Sequence, residues 1–229
     1  MKTLKRQAKP DYFFEDNLRK LGYKYIAGAD EVGRGCFAGP VVAGCVVFKK
    51  ACSPPKNIKI DDSKRLTPKQ REMAEVWIKQ KALVWAVGKV PASMINRIGM
   101  AQATKVAFRK AVAQTRRKVP IDFLLIDAFY IPWVKGLRRK NQKAIIDGDQ
   151  KSFSIAAASI VAKVYRDKLM QRIARNPKYK KYDWGKNKGY GTKTHQKAII
   201  KLGLTRYHRR VFVETFLNNS ASSQAQSGA

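Results

Sequence analysis

Asp30 and Glu31 close the run YIAGADE, Asp127 closes FLLID, and Asp149 follows AIIDG. These four acids lie in apolar company, in a chain with only 16 acidic residues against 48 lysines and arginines. A carboxylate beside a core is costly unless it is paired or binds a cation. Three strands that each end in an acid would bring the carboxylates to one sheet edge, where they would repel one another and raise their own pKa values. Hard divalent cations held by a few carboxylates and by substrate phosphates resolve that conflict. Two such ions, about 3.5–4 Å apart, activate a water and stabilise the leaving oxygen of a phosphodiester. A structural reading competes: Asp30 and Glu31 paired with nearby lysine or arginine, Asp127 and Asp149 in turns. Adjacent strand residues point to opposite faces. Glu31 therefore joins Asp30 only if the strand breaks there, which the following Val-Gly-Arg-Gly allows. Glu72 and Glu75 read as solvated residues on a polar helix face.

The elements that must position these acids follow from periodicity and punctuation. DYFFEDNLRKLG reads as a short helix stopped by Gly22. YKYIAGAD, GPVVAGCVVF, LVWAVGKV, DFLLIDAF and KAIIDGD read as strands. Thr67 is the expected N-cap of a helix beginning at Pro68. Residues 91–118 read as one long helix, apolar on one face and basic on the other. SFSIAAASIVAKVYRDKLMQRIARNP reads as another, closed by Pro177, and KYKKYDWGKNKGYGT as a basic, aromatic, glycine-rich loop. KTHQKAIIKLG and RYHRRVFVETFL read as two shorter helices. The expected class is α/β, a mixed sheet covered by helices with a helical C-terminal extension. The expected divisions are a basic arm and short helix over 1–22, a catalytic core over 23–177, a basic loop and helices packed on it over 178–217, and a disordered tail over 218–229.

The net charge is +32, and 45% of residues are apolar. That combination points to a folded protein with a polyanionic partner, nucleic acid ahead of an anionic membrane surface. The N-terminal segment has no apolar signal region, and no apolar run is long enough to span a bilayer. Cys36, Cys45 and Cys52, with His195 and His208 distant in sequence, supply no zinc-ligand spacing. The odd, low cysteine count fits a reduced, cytoplasmic setting.

Five blocks in order resemble the bacterial-type ribonuclease HII family over residues 25–204. They are GADEVGRGCFAGPVVAGCVVF, DDSKRLTPKQRE, LLIDAF, GDQKSFSIAAASIVAKVYRD and NKGYGTKTHQKAI. The sister family, ribonuclease HIII, usually replaces Gly-Arg-Gly, which stands here at 33–35. The resemblance implies a ribonuclease H-like fold, a mixed five-stranded sheet flanked by helices, and the expected state is a monomer. It implies cleavage of RNA in RNA–DNA hybrids and incision 5′ to a ribonucleotide in duplex DNA, leaving a 3′-hydroxyl and a 5′-phosphate. It puts a two-ion Mg2+ or Mn2+ site on Asp30, Glu31, Asp127 and Asp149, with Asp147 and Asp167 as runners-up for the fourth position. A helical ion pair with Lys163 is the simpler account of Asp167.

Substrate reading follows on the same basis. RNA is told from DNA at the 2′-hydroxyl. Glycines permit close backbone approach, and Gly33-Arg34-Gly35 places a phosphate-reaching arginine between two of them; a plain tight turn is the alternative. The resemblance assigns this loop to the sugar at the scissile junction and Tyr190 to stacking on the sugar that follows. Ser63 and Lys64 are candidates for phosphate contact, against an exposed loop. Ser159 and Lys163 are further candidates, against simple helix solvation, and Asn96 could orient a neighbouring loop. Two rival functions remain: a non-catalytic nucleic-acid binder, and a DNA nuclease, transposase or resolvase on a similar sheet.

Overall fold

The computed structural model describes the backbone of residues 9–226. The expected basic arm over 1–8 and the last three residues lie outside it. Strands β1 (Ile26–Val32), β2 (Val41–Val47), β3 (Val84–Val90), β4 (Phe123–Asp127) and β5 (Gln142–Ile145) form one sheet in the order β3-β2-β1-β4-β5. β1 runs antiparallel to β2 and parallel to β4, and β4 is parallel to β5. The sheet is therefore mixed, with the two acid-bearing strands β1 and β4 adjacent.

The helices begin with α1 (Phe13–Lys20), which ends where Gly22 takes φ 90°. α2 (Pro68–Lys81) starts at a full capping box: Thr67 Oγ1 accepts from the Gln70 amide, and Gln70 Oε1 accepts from the Thr67 amide. α3 (Ala92–Arg116) is not the single helix expected, because Gly99 at φ 75°, ψ 163° interrupts it. Glycine tolerates that left-handed backbone and breaks the helical run. α4 (Gly148–Lys151) and α5 (Phe153–Ala174) follow β5. The expected loop over 178–192 contains two short turns of helix, α6 (Pro177–Lys180) and α7 (Trp184–Asn187). α8 (Lys193–Leu202) and α9 (Arg210–Gln226) complete the chain. α9 reaches Gln226, into the span 218–229 expected as a disordered tail.

The chain divides into two compact units. The first runs to Val32 and adds Val42–Lys89 and Lys105–Tyr165; the second comprises Gly33–Val41, Val90–Thr104 and the chain from Arg166. The expected boundaries at 22/23 and 177/178 do not coincide with this division, which falls inside α5.

In the first unit α5 lies unusually close to the sheet. A Cβ on Gly28 would come within 2.1 Å of the Ser154 backbone, and one on Gly44 within 2.3 Å of the Ala158 carbonyl. Gly44 is the register partner of Asp30, and Gly28 lies two residues before it, so all three share the face that α5 covers. Phe48, Trp77, Phe153, Ile160 and Val161 pack with this helix, and Ile26, Phe123, Leu125, Ile145 and Ile155 form a second cluster. The start of α5 is also tied to α1. Glu15 is 1% exposed, and its Oε1 accepts from the Ser154 amide at 2.9 Å and the Ser152 hydroxyl at 2.7 Å. Glu75 is not solvated as expected: it is buried and pairs at 2.7 Å with Lys79, whose ammonium lies over the Trp85 ring. The second unit has its own core of Met170, Tyr179, Tyr182, Trp184, Ile199 and Val213.

Candidate active site

β1 carries Asp30 and Glu31, and β4 ends on Asp127. Asp149 does not end a strand as expected; it lies in α4, beyond β5. The strand is not broken at Glu31 either. Glu31 pairs in register with Ala43 and Val32 with Val42, and the break comes at Gly33, φ 89°. The pleat alone would send Glu31 toward the face opposite Asp30, yet Glu31 acts on Asp30 more strongly than any other acid does, so at this strand end the two carboxylates stay close. Asp30 is buried, and its Oδ1 accepts the Glu31 amide at 2.7 Å.

Burial pushes Asp30 well above the usual carboxylate range, and Glu31, Asp127 and Asp149 push it further; the Ser159 hydroxyl opposes them. Burial also raises Asp127, against the Gly148 amide that donates to its Oδ1 at 2.7 Å. Asp149 is pushed up to about 6, by burial first and then by Asp62 and Asp127. The acids therefore feel one another, as the placement of scarce acids suggested. Among the described residues, however, no three carboxylate, imidazole or thiol groups meet at one point, so this is a field of negative charge and not a closed ligand shell. The nearby counter-charge is Lys64, exposed, with its ammonium 4.0 Å from Asp149. Burial lowers the Lys64 pKa, but Asp62, Asp149, Asp30 and Asp127 outweigh that and raise it. Buried oxygen donors short of positive charge fit a hard divalent cation.

Sequence reasoning misses Asp62. It is 7% exposed, hydrogen-bonds Asp149 and accepts from the Lys64 amide. DDSK reads as a polar loop, and nothing local marks the second acid as buried. Ser63 and Ser159 are at 3% and 4% exposure with their hydroxyls 3.0 Å apart. That contact ties the DDSK loop to α5, and Ser159 also hydrogen-bonds Asp30. Lys163, one turn along α5, is partly buried. Asp147 is exposed, with left-handed backbone at φ 54°. Asp167 belongs to the second unit.

The second unit holds the Gly33–Gly35 loop and Tyr190. These two loops are sewn together: the amides of Phe37 and Ala38 donate to the Gly189 carbonyl at 2.9 and 3.1 Å, and Cys36 bridges Tyr190. Two buried arginines, absent from the sequence reading, hold the assembly. Arg166 donates to the carbonyls of Pro40, Ala38 and Lys188 at 3.0, 3.1 and 2.9 Å. Arg209 donates to Gly39 and Arg34 carbonyls at 3.0 and 2.7 Å, and its Nη2 is buried without a hydrogen-bond partner. Burial pulls Arg209 down to about 10, with Arg166 adding repulsion. The Tyr190 ring is 39% exposed, with the Arg166 guanidinium 5.8 Å from its centroid. As expected, Asn96 orients a neighbouring segment, donating to the His208 carbonyl and accepting the Arg210 amide.

The two glycines of the loop differ. Gly33 is buried at φ 89°, and a Cβ there would meet Arg166 Nε at 2.2 Å. Gly35 is exposed, and a methyl carbon added to it would find no atom within 4 Å. Gly33→Ala is therefore expected to lower stability by about 1–3 kcal/mol in urea unfolding, through strain and displaced packing. Gly35→Ala is expected to leave the unfolding midpoint unchanged, because the added methyl meets no atom of the protein.

The family model described as Ribonuclease HII matches residues 27–215. A ribonuclease HII of Caldanaerobacter subterraneus subsp. tengcongensis is 42% identical over 205 residues, covering 90% of this chain and 80% of that protein. One from Thermosynechococcus vestitus is 40% identical, covering 91% and 92%. The crystal structure of ribonuclease H2 from Pyrococcus horikoshii OT3 superposes with a TM-score of 0.65 at 23% identity, covering 83% of this chain and 96% of that one. The Mn2+ complex of Bst-RNase HIII gives 0.65 at 16%, covering 87% and 71%. At those identities the structures speak for the fold.

Proposed function

The chain belongs to the ribonuclease HII family and is a ribonuclease H, and we propose that it incises duplex DNA 5′ to an embedded ribonucleotide as well as cleaving RNA in RNA–DNA hybrids. The observation that carries the reading is the mutually repelling set of buried Asp30 and Asp149 and half-buried Asp127, joined through the chain to Glu31. Asp30, Glu31, Asp127 and Asp149 would hold two Mg2+ or Mn2+ ions, with Asp62 beside Asp149. Such ions, when bound, neutralise the acids and supply Lewis-acid stabilisation to the reacting phosphate.

The protein's own groups do the rest. Ser159 keeps Asp30 oriented and favours its charged form. The Gly148 amide does the same for Asp127. Lys64 places an exposed ammonium at the acids, suited to a phosphate oxygen. Gly33 and Gly35 let backbone approach the sugar bearing the 2′-hydroxyl, Arg34 reaches the phosphate, and Tyr190 stacks on the following sugar. Attack of water in line with the departing 3′ oxygen gives a 3′-hydroxyl and a 5′-phosphate, with no protein nucleophile. The large surplus of lysine and arginine binds phosphates without sequence preference, so affinity falls steeply with salt. Among the described residues no helix is long and apolar enough to cross a membrane, and we read the protein as a cytoplasmic monomer.

The test is a labelled DNA duplex with one ribonucleotide beside its all-DNA twin, each with Mg2+ or Mn2+. Incision only 5′ to the ribonucleotide is the expected result. Binding without incision under both metals, or equal cutting of the two duplexes, would sink the reading.

A further inference from the structure

We infer that His195 and His208 are neutral positioning residues that fix the Tyr190 turn through a directed relay of hydrogen bonds. The inference rests on the reading of Tyr190 as the residue that meets the sugar beyond the ribonucleotide.

Both imidazoles are buried, at 0% and 1% exposure, and nothing in the proposed chemistry uses them. Their proton positions follow from neighbours that can only donate. The Thr205 amide donates to His208 Nδ1 at 2.8 Å, so the proton of a neutral His208 sits on Nε2. That Nε2 stands 3.1 Å from His195 Nε2, which must accept. The Trp184 indole N–H reaches the same His195 Nε2 at 2.9 Å and fixes it as an acceptor independently. The His195 proton is then on Nδ1, 2.9 Å from the Tyr190 carbonyl, and donates to it. The relay runs from Thr205 through His208 and His195 to Tyr190. Asn96 anchors its origin by holding the His208 carbonyl at 3.0 Å and the Arg210 amide at 2.9 Å.

A proton added to either ring reverses an acceptor into a donor. On His208 it would aim Nδ1–H at the Thr205 N–H. On His195 it would set Nε2–H against both Trp184 and His208. The groups facing the pair are the rings of Trp184, Tyr182 and Phe37, together with Thr205 and the Tyr190 carbonyl. The titratable groups among them are the two imidazoles themselves and the Tyr182 phenol, and no carboxylate is among the groups that shift either imidazole. Burial lowers both, His208 to about 4 with help from His195. The neutral state that the geometry requires is therefore the one the surroundings favour.

The experiment compares incision at a single ribonucleotide in DNA with cleavage of a continuous RNA–DNA hybrid, for wild type, Tyr190→Ala, His195→Leu and His195→Asn. Tyr190→Ala is expected to depress the first rate relative to the second. His195→Leu is expected to depress the same ratio by about fivefold, the worth of one net hydrogen bond. His195→Asn keeps a short donor toward the Tyr190 carbonyl and is expected to recover most of the ratio. If Tyr190→Ala leaves the ratio unchanged, the reading of Tyr190 falls and the relay's role with it. If Tyr190→Ala depresses the ratio and His195→Leu does not, or if Leu and Asn slow both substrates equally, the relay alone is overturned. Should His195→Leu fail to fold, long-range 15N–1H spectra of the wild-type imidazoles decide. Nδ1–H on His195 and Nε2–H on His208 at neutral pH support the relay, and either opposite tautomer overturns it.

Discussion

Asp30→Asn is expected to abolish incision and, in the absence of divalent ions, to raise the melting temperature at neutral pH. The first effect follows from losing one anionic oxygen donor at the centre of the acid set. Metal-assisted stabilisation of the reacting phosphate is worth several kcal/mol, so a loss of about 10³-fold or more in rate is expected. The second follows from linkage. The folded-state pKa of Asp30 lies above its unfolded value, because burial and then Glu31, Asp127 and Asp149 disfavour the charge. A raised carboxylate contributes stability that is present below the unfolded pKa, about 3.9, and is lost as pH rises through the folded pKa. An asparagine carries no charge at any pH and escapes that loss. The mutant should thus melt higher than wild type at pH 7 and close to it below pH 4. Activity assays and melting curves on the same preparation check both halves. Retained incision would remove Asp30 from the proposed site, and a lower melting temperature at pH 7 would contradict its raised pKa.

Arg166→Met is expected to be among the most damaging substitutions outside the acid set. The guanidinium is fully buried and its donors are committed to the Pro40, Ala38 and Lys188 carbonyls. Methionine fills part of the volume but leaves three carbonyls without that donor. Each unsatisfied buried group costs about 1–3 kcal/mol, offset in part by release of a buried charge. A loss of about 3–5 kcal/mol in urea unfolding is the expected result, a large fraction of a typical domain's stability. Arg166→Lys should recover little, because one ammonium on a flexible stem cannot replace a planar fork aimed at three carbonyls. A variant as stable as wild type would show that the two loops are held together by their direct backbone contacts alone.

The difference between these two residues also marks what the sequence makes legible. Asp30 announces itself locally, as a carboxylate ending an apolar run, and Asp127 does so equally. Thr67 and Gln70 spell out their capping box within four residues. The five blocks carry the family and the mixed sheet. Arg166 looks like one more arginine on a basic helix, and two of its three acceptors lie 126 and 128 residues away in the chain. Ser63 and Ser159, 96 residues apart, hide for the same reason. Asp62 gives no sign of burial because the surface that covers it comes from elsewhere in the fold. Asp149 is legible as an acid but not as a helical one, since AIIDGD reads as one strand while β5 ends at Ile145 and α4 begins at Gly148. Gly99 breaks α3 by a backbone angle that residue type permits but does not dictate.

The strand order has a consequence for synthesis. β1 sits at the middle of the sheet, yet its parallel partner β4 is made much later, with Ile26 meeting Phe123. A chain emerging from the ribosome at about 5–20 residues per second exposes the unpaired edge of β1 for roughly 5–20 s before β4 arrives. Such an edge is a template for pairing with another nascent chain, and charged side chains on it discourage that. Asp30 and Glu31 lie at the end of that edge, just beyond the Ile26–Ala29 stretch that β4 comes to cover. The acids proposed to hold the cations would then also serve the unfinished protein, as guards against aggregation during translation. On this view, neutralising both should lower the yield of folded chain in rapid expression more than the stability of the finished molecule would suggest.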